Sequence, residues 1–225
     1  MQYQIQFSPA YSLGVVNLEA GESLQVESGS MVSMSSGIEI QTQAKGGLLS
    51  GLKRSMLGGE SFFLNTFNAR TAGEVTVAPA LPGDIVHRQL TGGTIYVQSG
   101  AYLASSPSID IDTKWGGAKT FFSGQGLFLL RLSGVGDLFI SSYGAIRELD
   151  LAPGQTYTVD TGHVVSFDEG VTFSVRKAGG SWKTTLLGGE GLVVEFTGPG
   201  RVQMQTRSPQ DFLGWLIPQL PEKKQ

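Results

Sequence analysis

The 225-residue chain contains no cysteine and only two histidines, His87 and His163. The first absence excludes a disulfide framework, a thiolate metal site and a cysteine nucleophile. The second starves metal chemistry, because a β-barrel metal centre needs two or three histidines and a carboxylate converging from neighbouring strands. Charge is scarce as well. Lys and Arg number 16 against 19 Asp and Glu, 16% of the chain against a norm of ~25%, for a net charge of −3. That balance supplies no basic surface for RNA or DNA, so nucleic acid is not an expected partner. No stretch of ~18 apolar residues exists to form a transmembrane helix. The N-terminus, MQYQIQFSPAYSLGVV, has neither the basic residues nor the unbroken apolar run of a secretory signal. The expected compartment is the cytoplasm.

Glycine is what the chain has in excess: 32 residues, about twice the usual share of ~7%. These glycines punctuate three stretches that align with one another. Leu18-Glu-Ala-Gly-Glu-Ser-Leu-Gln-Val-Glu-Ser-Gly29 matches Leu90-Thr-Gly-Gly-Thr-Ile-Tyr-Val-Gln-Ser-Gly100 and Leu151-Ala-Pro-Gly-Gln-Thr-Tyr-Thr-Val-Asp-Thr-Gly162. Further anchors follow in the same order: Gly37, Ser108 and Gly170 before alternating runs, then the pairs Gly46-Gly47, Gly116-Gly117 and Gly179-Gly180. Gly59, Gly124 and Gly189 come next, and finally Gly73, Gly136 and Gly200. The alignment predicts three repeats, 1–79, 80–143 and 144–207, followed by a tail, 208–225.

Each repeat alternates apolar and polar residues, as in Leu24-Gln-Val, Ile38-Glu-Ile, Ile109-Asp-Ile and Val171-Thr-Phe-Ser-Val, which is the pattern of half-buried strands. Phe62-Phe-Leu, Leu127-Phe-Leu-Leu and Leu192-Val-Val are continuously apolar, as expected of strands covered on both faces. The fold class predicted is therefore all-β: three antiparallel units of about 65 residues, each near the lower limit for a core of its own, packed as one body. Two segments read as helix: the insert 48–57 in the first repeat and the tail 208–217, where Ser208 can cap and Pro209 can take the first helical position. An open row of β units leaves unpaired edges at its ends, and head-to-tail association removes them, so a symmetric homo-oligomer is expected.

Candidate chemistry is thin. Asp110 and Asp112 share a strand face, but their counterparts are Glu39/Gln41 and Thr172/Ser174, which makes that face polar rather than metal-binding. Gly116-Gly-Ala-Lys-Thr120 has alanine where a phosphate loop needs glycine before the lysine, and Gly134-Val-Gly136 lacks the third glycine of a dinucleotide fingerprint. No catalytic residue, metal site or cofactor is expected, and the chain is read as a non-enzyme. The segment that stands out is 46–63, which concentrates Leu, Lys53, Arg54 and Met56 between two anchors and offers a loop on a rigid scaffold for interaction. Phe212 and Trp215 in the tail form a second candidate interaction site, with Leu216 on the same face of a docking helix.

The combination Leu52-Lys-Arg-Ser-Met-Leu-Gly-Gly-Glu-Ser-Phe-Phe-Leu-Asn-Thr-Phe67, set within three glycine-punctuated β repeats, resembles the mitochondrial-biogenesis (altered inheritance of mitochondria) family. The resemblance implies a fold like that of the tryptophan RNA-binding attenuator protein, with three units per chain and a trimer of ninefold pseudo-symmetry. It implies a role tied to membrane organisation and no established catalytic residues. The function expected is a homo-oligomeric β scaffold that meets a protein partner or a membrane surface; the alternative is a ring that binds a small ligand or RNA. Replacing Lys53 and Arg54 with glutamate should change stability by less than about 0.5 kcal/mol if they serve interaction. A large fall in melting temperature would instead make that segment a structural cap.

Overall fold

Side chains alternate between the two faces of a strand, so the period-2 runs should each bury one face. A computed structural model describes residues 1–42, 63–113, 128–178 and 192–221. The insert expected to be helical at 48–57, with Lys53, Arg54 and Met56, lies outside them. In chain order the first strands are β1 (Gln2–Gln6), β2 (Leu13–Leu18), β3 (Ser23–Glu27), β4 (Met31–Met34), β5 (Ile38–Thr42), β6 (Leu64–Ala69) and β7 (Gly73–Val77). Next come β8 (Ile85–Gln98), β9 (Tyr102–Ser105), β10 (Ile109–Asp112) and β11 (Leu129–Ser141). The last are β12 (Ile146–Leu151), β13 (Thr156–Asp160), β14 (Val164–Asp168), β15 (Thr172–Lys177), β16 (Leu192–Thr197) and β17 (Gly200–Gln205), followed by the helix α1 (Pro209–Leu216). Among the described residues the protein is mostly antiparallel β, with one short α-helix near the C-terminus.

One pairing pattern occurs three times. In the first stretch β2 pairs with β7 and β7 with β4, while β3 pairs with β6 and β6 with β5. In the last stretch β12 pairs with β17 and β17 with β14, while β13 pairs with β16 and β16 with β15. The middle stretch makes the same pairs, but β8 and β11 each run on through what are two separate strands elsewhere. Leu18 faces Gly73, Leu90 faces Gly136 and Leu151 faces Gly200 in these ladders. The glycines Gly92 and Gly93 therefore kink one long strand in the middle stretch rather than closing a hairpin.

The stretches are joined by a strand from each being added to its predecessor: β9 pairs with β3, and β14 pairs with β8. The result is one ten-strand sheet, β12-β17-β14-β8-β11-β9-β3-β6-β5 with β10 also on β11. Its long strands β8 and β11 are shared by two layers, β8-β11-β9-β3-β6-β5 and β12-β17-β14-β8-β11-β10. At either end of the stack lies a smaller sheet, β1-β2-β7-β4 first and β13-β16-β15 last.

Three apolar cores lie between these four layers. Val16, Leu24, Phe67 and Val75 build the first, Ile95, Tyr102, Leu130 and Ile140 the second, and Phe167, Val194, Phe196 and Val202 the third. The inner layers face a core on both sides, which explains the continuous run in β11: Leu129 enters the third core and Leu130 the second. In the matching run β6 begins only at Leu64, which packs against the second core while Phe67 enters the first; Phe63, just before the strand, is 44% exposed.

Gly134-Val-Gly136 also finds its explanation here. The register of β11 against β8 slips between Ser133 and Val135, and Gly134 sits in that bulge at φ +129°. A Cβ at Gly134 would lie 2.4 Å from the Ser108 carbonyl oxygen, so both conformation and space demand glycine. Gly134→Ala should cost about 2–4 kcal/mol in urea unfolding, while Gly93→Ala, with open space around it, should change stability by less than about 0.5 kcal/mol.

Candidate interaction surface

The residues first considered for chemistry are held by their neighbours. His87 lies between Tyr3 and Asp137: its Nδ1 is 2.8 Å from the Tyr3 hydroxyl and its Nε2 is 2.8 Å from Asp137 Oδ1. The Tyr3 ring stacks on the imidazole at 4.1 Å and meets Phe139 edge-on, so this trio clasps β1 to β8 and β11. His163 Nδ1 donates to the Gln205 carbonyl at 2.8 Å. Asp110 and Asp112 share the outer face of β10, opposite Ile109 and Ile111, which turn to the second core. Among the described residues, no group of three or more His, Asp or Glu is placed to hold a metal ion.

Charge serves strand cohesion in the same way. Arg201 forks onto Asp150 across the β12–β17 ladder, with 2.8 and 3.3 Å bonds, and reaches Glu148 at 3.1 Å. Its hydrogen bond holds the Asp150 carboxyl below the ordinary range and, reciprocally, lifts Arg201. Arg88 donates to Asp168 at 2.8 Å, tying β8 to the end of β14. The partly exposed Arg88–Asp168 pair contributes about 0–1 kcal/mol. Tyr102, buried beside Ser105, has its hydroxyl pushed above the ordinary value by burial.

The unusual surface is an edge strand. β4, β9 and β14 occupy the same place in the three pairing patterns, yet their environments differ. Tyr102 to Ser105 in β9 are fully buried, and the residues of β14 from Val164 to Phe167 are no more than 2% exposed. In β4, by contrast, Met31 is 36%, Val32 58% and Met34 40% exposed. The cause is pairing: β9 and β14 have strands on both edges, whereas among the described residues β4 pairs only with β7. Nothing in the sequence reading singled out Met31-Val-Ser-Met34. The signal was available, since this apolar run falls just after Gly29 as Tyr102-Leu-Ala-Ser105 falls after Gly100 and Val164-Val-Ser-Phe167 after Gly162.

The tail forms the helix its sequence predicts. The Ser208 hydroxyl accepts the Asp211 amide at 3.3 Å, and Pro209 takes the first turn, where its missing N–H is harmless. Phe212 is half-buried and meets the Tyr143 ring edge-on at 6.0 Å. Trp215 lies against Phe212 but is 64% exposed, with Leu213, Ile217 and Leu220 also open to solvent. Only the Phe212 and Leu216 side of the helix is covered, so Phe212 and Trp215 divide between anchoring and display.

Comparison with known proteins adds three findings. The family described as "Mitochondrial biogenesis AIM24" matches residues 3–207. The chain is 30% identical over 229 residues to an "Uncharacterized protein M6_Spy0233" of Streptococcus pyogenes serotype M6, spanning 98% of this chain and 92% of the relative. It is also similar to the crystal structure of protein SPYM3_0169 from Streptococcus pyogenes, with a TM-score of 0.79 and 29% identity over 97% of this chain and 99% of that one.

Phe212→Ala should lower stability by about 1–2 kcal/mol, since a half-buried ring is lost from the body. Trp215→Ala should change it by less than about 0.5 kcal/mol. Thermal melts of the two variants check this, and the reverse order would assign the anchoring to Trp215.

Proposed function

The chain belongs to the mitochondrial biogenesis AIM24 family, and we propose that it acts there as a non-enzymatic scaffold, a homo-oligomeric β body that presents surface to a partner. The observation that carries this reading is β4. A strand edge bearing two methionines and a valine in water is a template for pairing, and proteins either blunt such an edge or use it. β4 carries no charge or proline between Met31 and Met34 to blunt it, and its register shift at Val32 recurs at Leu103 and Val165 in strands that are paired on both edges. Association in solution supplies the missing cover.

The tail complements the assembly. Leu213, Trp215 and Ile217 stand exposed on a helix pinned by Phe212, the arrangement of a surface held out for a partner. No helix among the described residues is long and apolar enough to cross a membrane. The exposed apolar side of the tail helix is the surface that would meet a membrane partner. The cytoplasm is the proposed setting and the trimer the proposed state. Sedimentation equilibrium at micromolar concentration should give about three times the 23.9 kDa chain mass; a single-chain mass would overturn the reading.

A further inference from the structure

We infer that assembly uses one specific joint: β4 of one copy adds antiparallel to β13 of a second copy, with Ser33 opposite Val159 and Met34 opposite Thr158. This rests on the self-assembling reading above and names the surfaces it requires.

The register comes from the two joints inside the chain. Where β9 adds to β3, Ala104 stands opposite Val26 and Ser105 opposite Gln25. Where β14 adds to β8, Ser166 stands opposite Val97 and Phe167 opposite Tyr96. These are the same joint in the same register. Ala104 and Ser166 face Phe139 and Gln203 on their own sheets, and Ser33 faces Thr76 at the corresponding place. On the receiving side, Val26 and Val97 face Asn65 and Leu130, and Val159 faces Val194 likewise. Carrying the register forward pairs Ser33 with Val159.

The end sheets are the two halves that such a joint needs. Each inner layer consists of a β12-β17-β14 type of half joined to a β8-β11-β10 type of half. What remains at the ends is β2-β7-β4, a half of the first type, and β13-β16-β15, a half of the second. Among the described residues β13 pairs only with β16, and no described strand covers its other edge. Because the two halves sit in the first and last layers of the stack, the contact is head-to-tail between copies and can close into a ring.

Burial marks both surfaces as incomplete. Leu103 of β9 enters the core of the stretch before it, and Val165 of β14 does the same one stretch on. Val32, between Met31 and Ser33, holds the corresponding place and is 58% exposed. On the receiving strand, Leu24 and Ile95 are buried under the added strand, while Tyr157 at their position is only half-buried. Val32 of one copy thus fits the third core of the next.

The absence of native cysteine makes the register directly testable. A Met34→Cys/Thr158→Cys double variant, oxidised at micromolar concentration, should run on a non-reducing denaturing gel as covalent multimers. A Gln4→Cys/Thr158→Cys control, which offers β1 as the donor edge, should stay at single-chain mass. Val32→Lys should reduce the solution mass to one chain without loss of the β circular-dichroism signal, while Val135→Lys, on the exposed β11 bulge, should leave assembly intact. An unmodified chain that assembles but yields no Met34–Thr158 cross-link would overturn the joint and leave the scaffold reading standing. A cross-link confined within single chains would also overturn the joint. A chain that is monomeric at these concentrations would overturn both.

Discussion

The addition of the third strand of one stretch to the second strand of the stretch before it is the interaction on which the rest of the molecule depends. A sheet of three short strands covers too little to enclose a core of about 65 residues' worth of apolar side chains. By lending β9 and β14 to the neighbouring sheet, the chain doubles the sheet width and seals each core with a side chain from the following stretch, Leu103 in one case and Val165 in the other. The inner layers then face apolar cores on both sides, and their strands lose the polar alternation that an outer face would need. Every stretch is incomplete alone, and completeness is passed along the row until the chain ends.

The polar residues are consistent with this economy. His87 and Asp137 hold β1 through Tyr3, Arg88 and Asp168 hold a joint between stretches, and Arg201 holds a ladder through Asp150. Each ion pair or hydrogen-bonded trio lies where strands from different parts of the sequence meet. The glycine excess has a comparable origin at Gly134, where a bulge lets β11 pass from one sheet into the next without colliding with the Ser108 carbonyl.

Much of this was legible before any coordinates. Alternation placed Leu24 and Val26 on the core side of β3, and Ser208-Pro209 announced the tail helix. Continuous apolarity at 127–130 pointed to a doubly covered strand, and Leu129 and Leu130 do enter different cores. In the matching run at 62–64, Leu64 packs on the second core while Phe67 enters the first, and Phe63, which precedes the strand, stays 44% exposed. The fusion of strands in β8 and β11 left no mark, since a kink and a hairpin both call for glycine. β4 was missed for a deeper reason: periodicity reports which face of a strand is apolar, whereas the state of its edge depends on neighbours distant in sequence. The candidates Lys53, Arg54 and Met56 lie outside the described residues.

The account's central claim is that β4 is an interior strand in the working protein, and amide hydrogen exchange tests it most directly. In the native protein at micromolar concentration, backbone amides of Met31 to Met34 should exchange as slowly as those of Tyr102 to Ser105 and Val164 to Phe167, because all three strands would then lie between two partners. If the 31–34 amides exchange at the rate of an exposed edge while the other two sets stay protected, β4 is a true outer edge and that claim is contradicted.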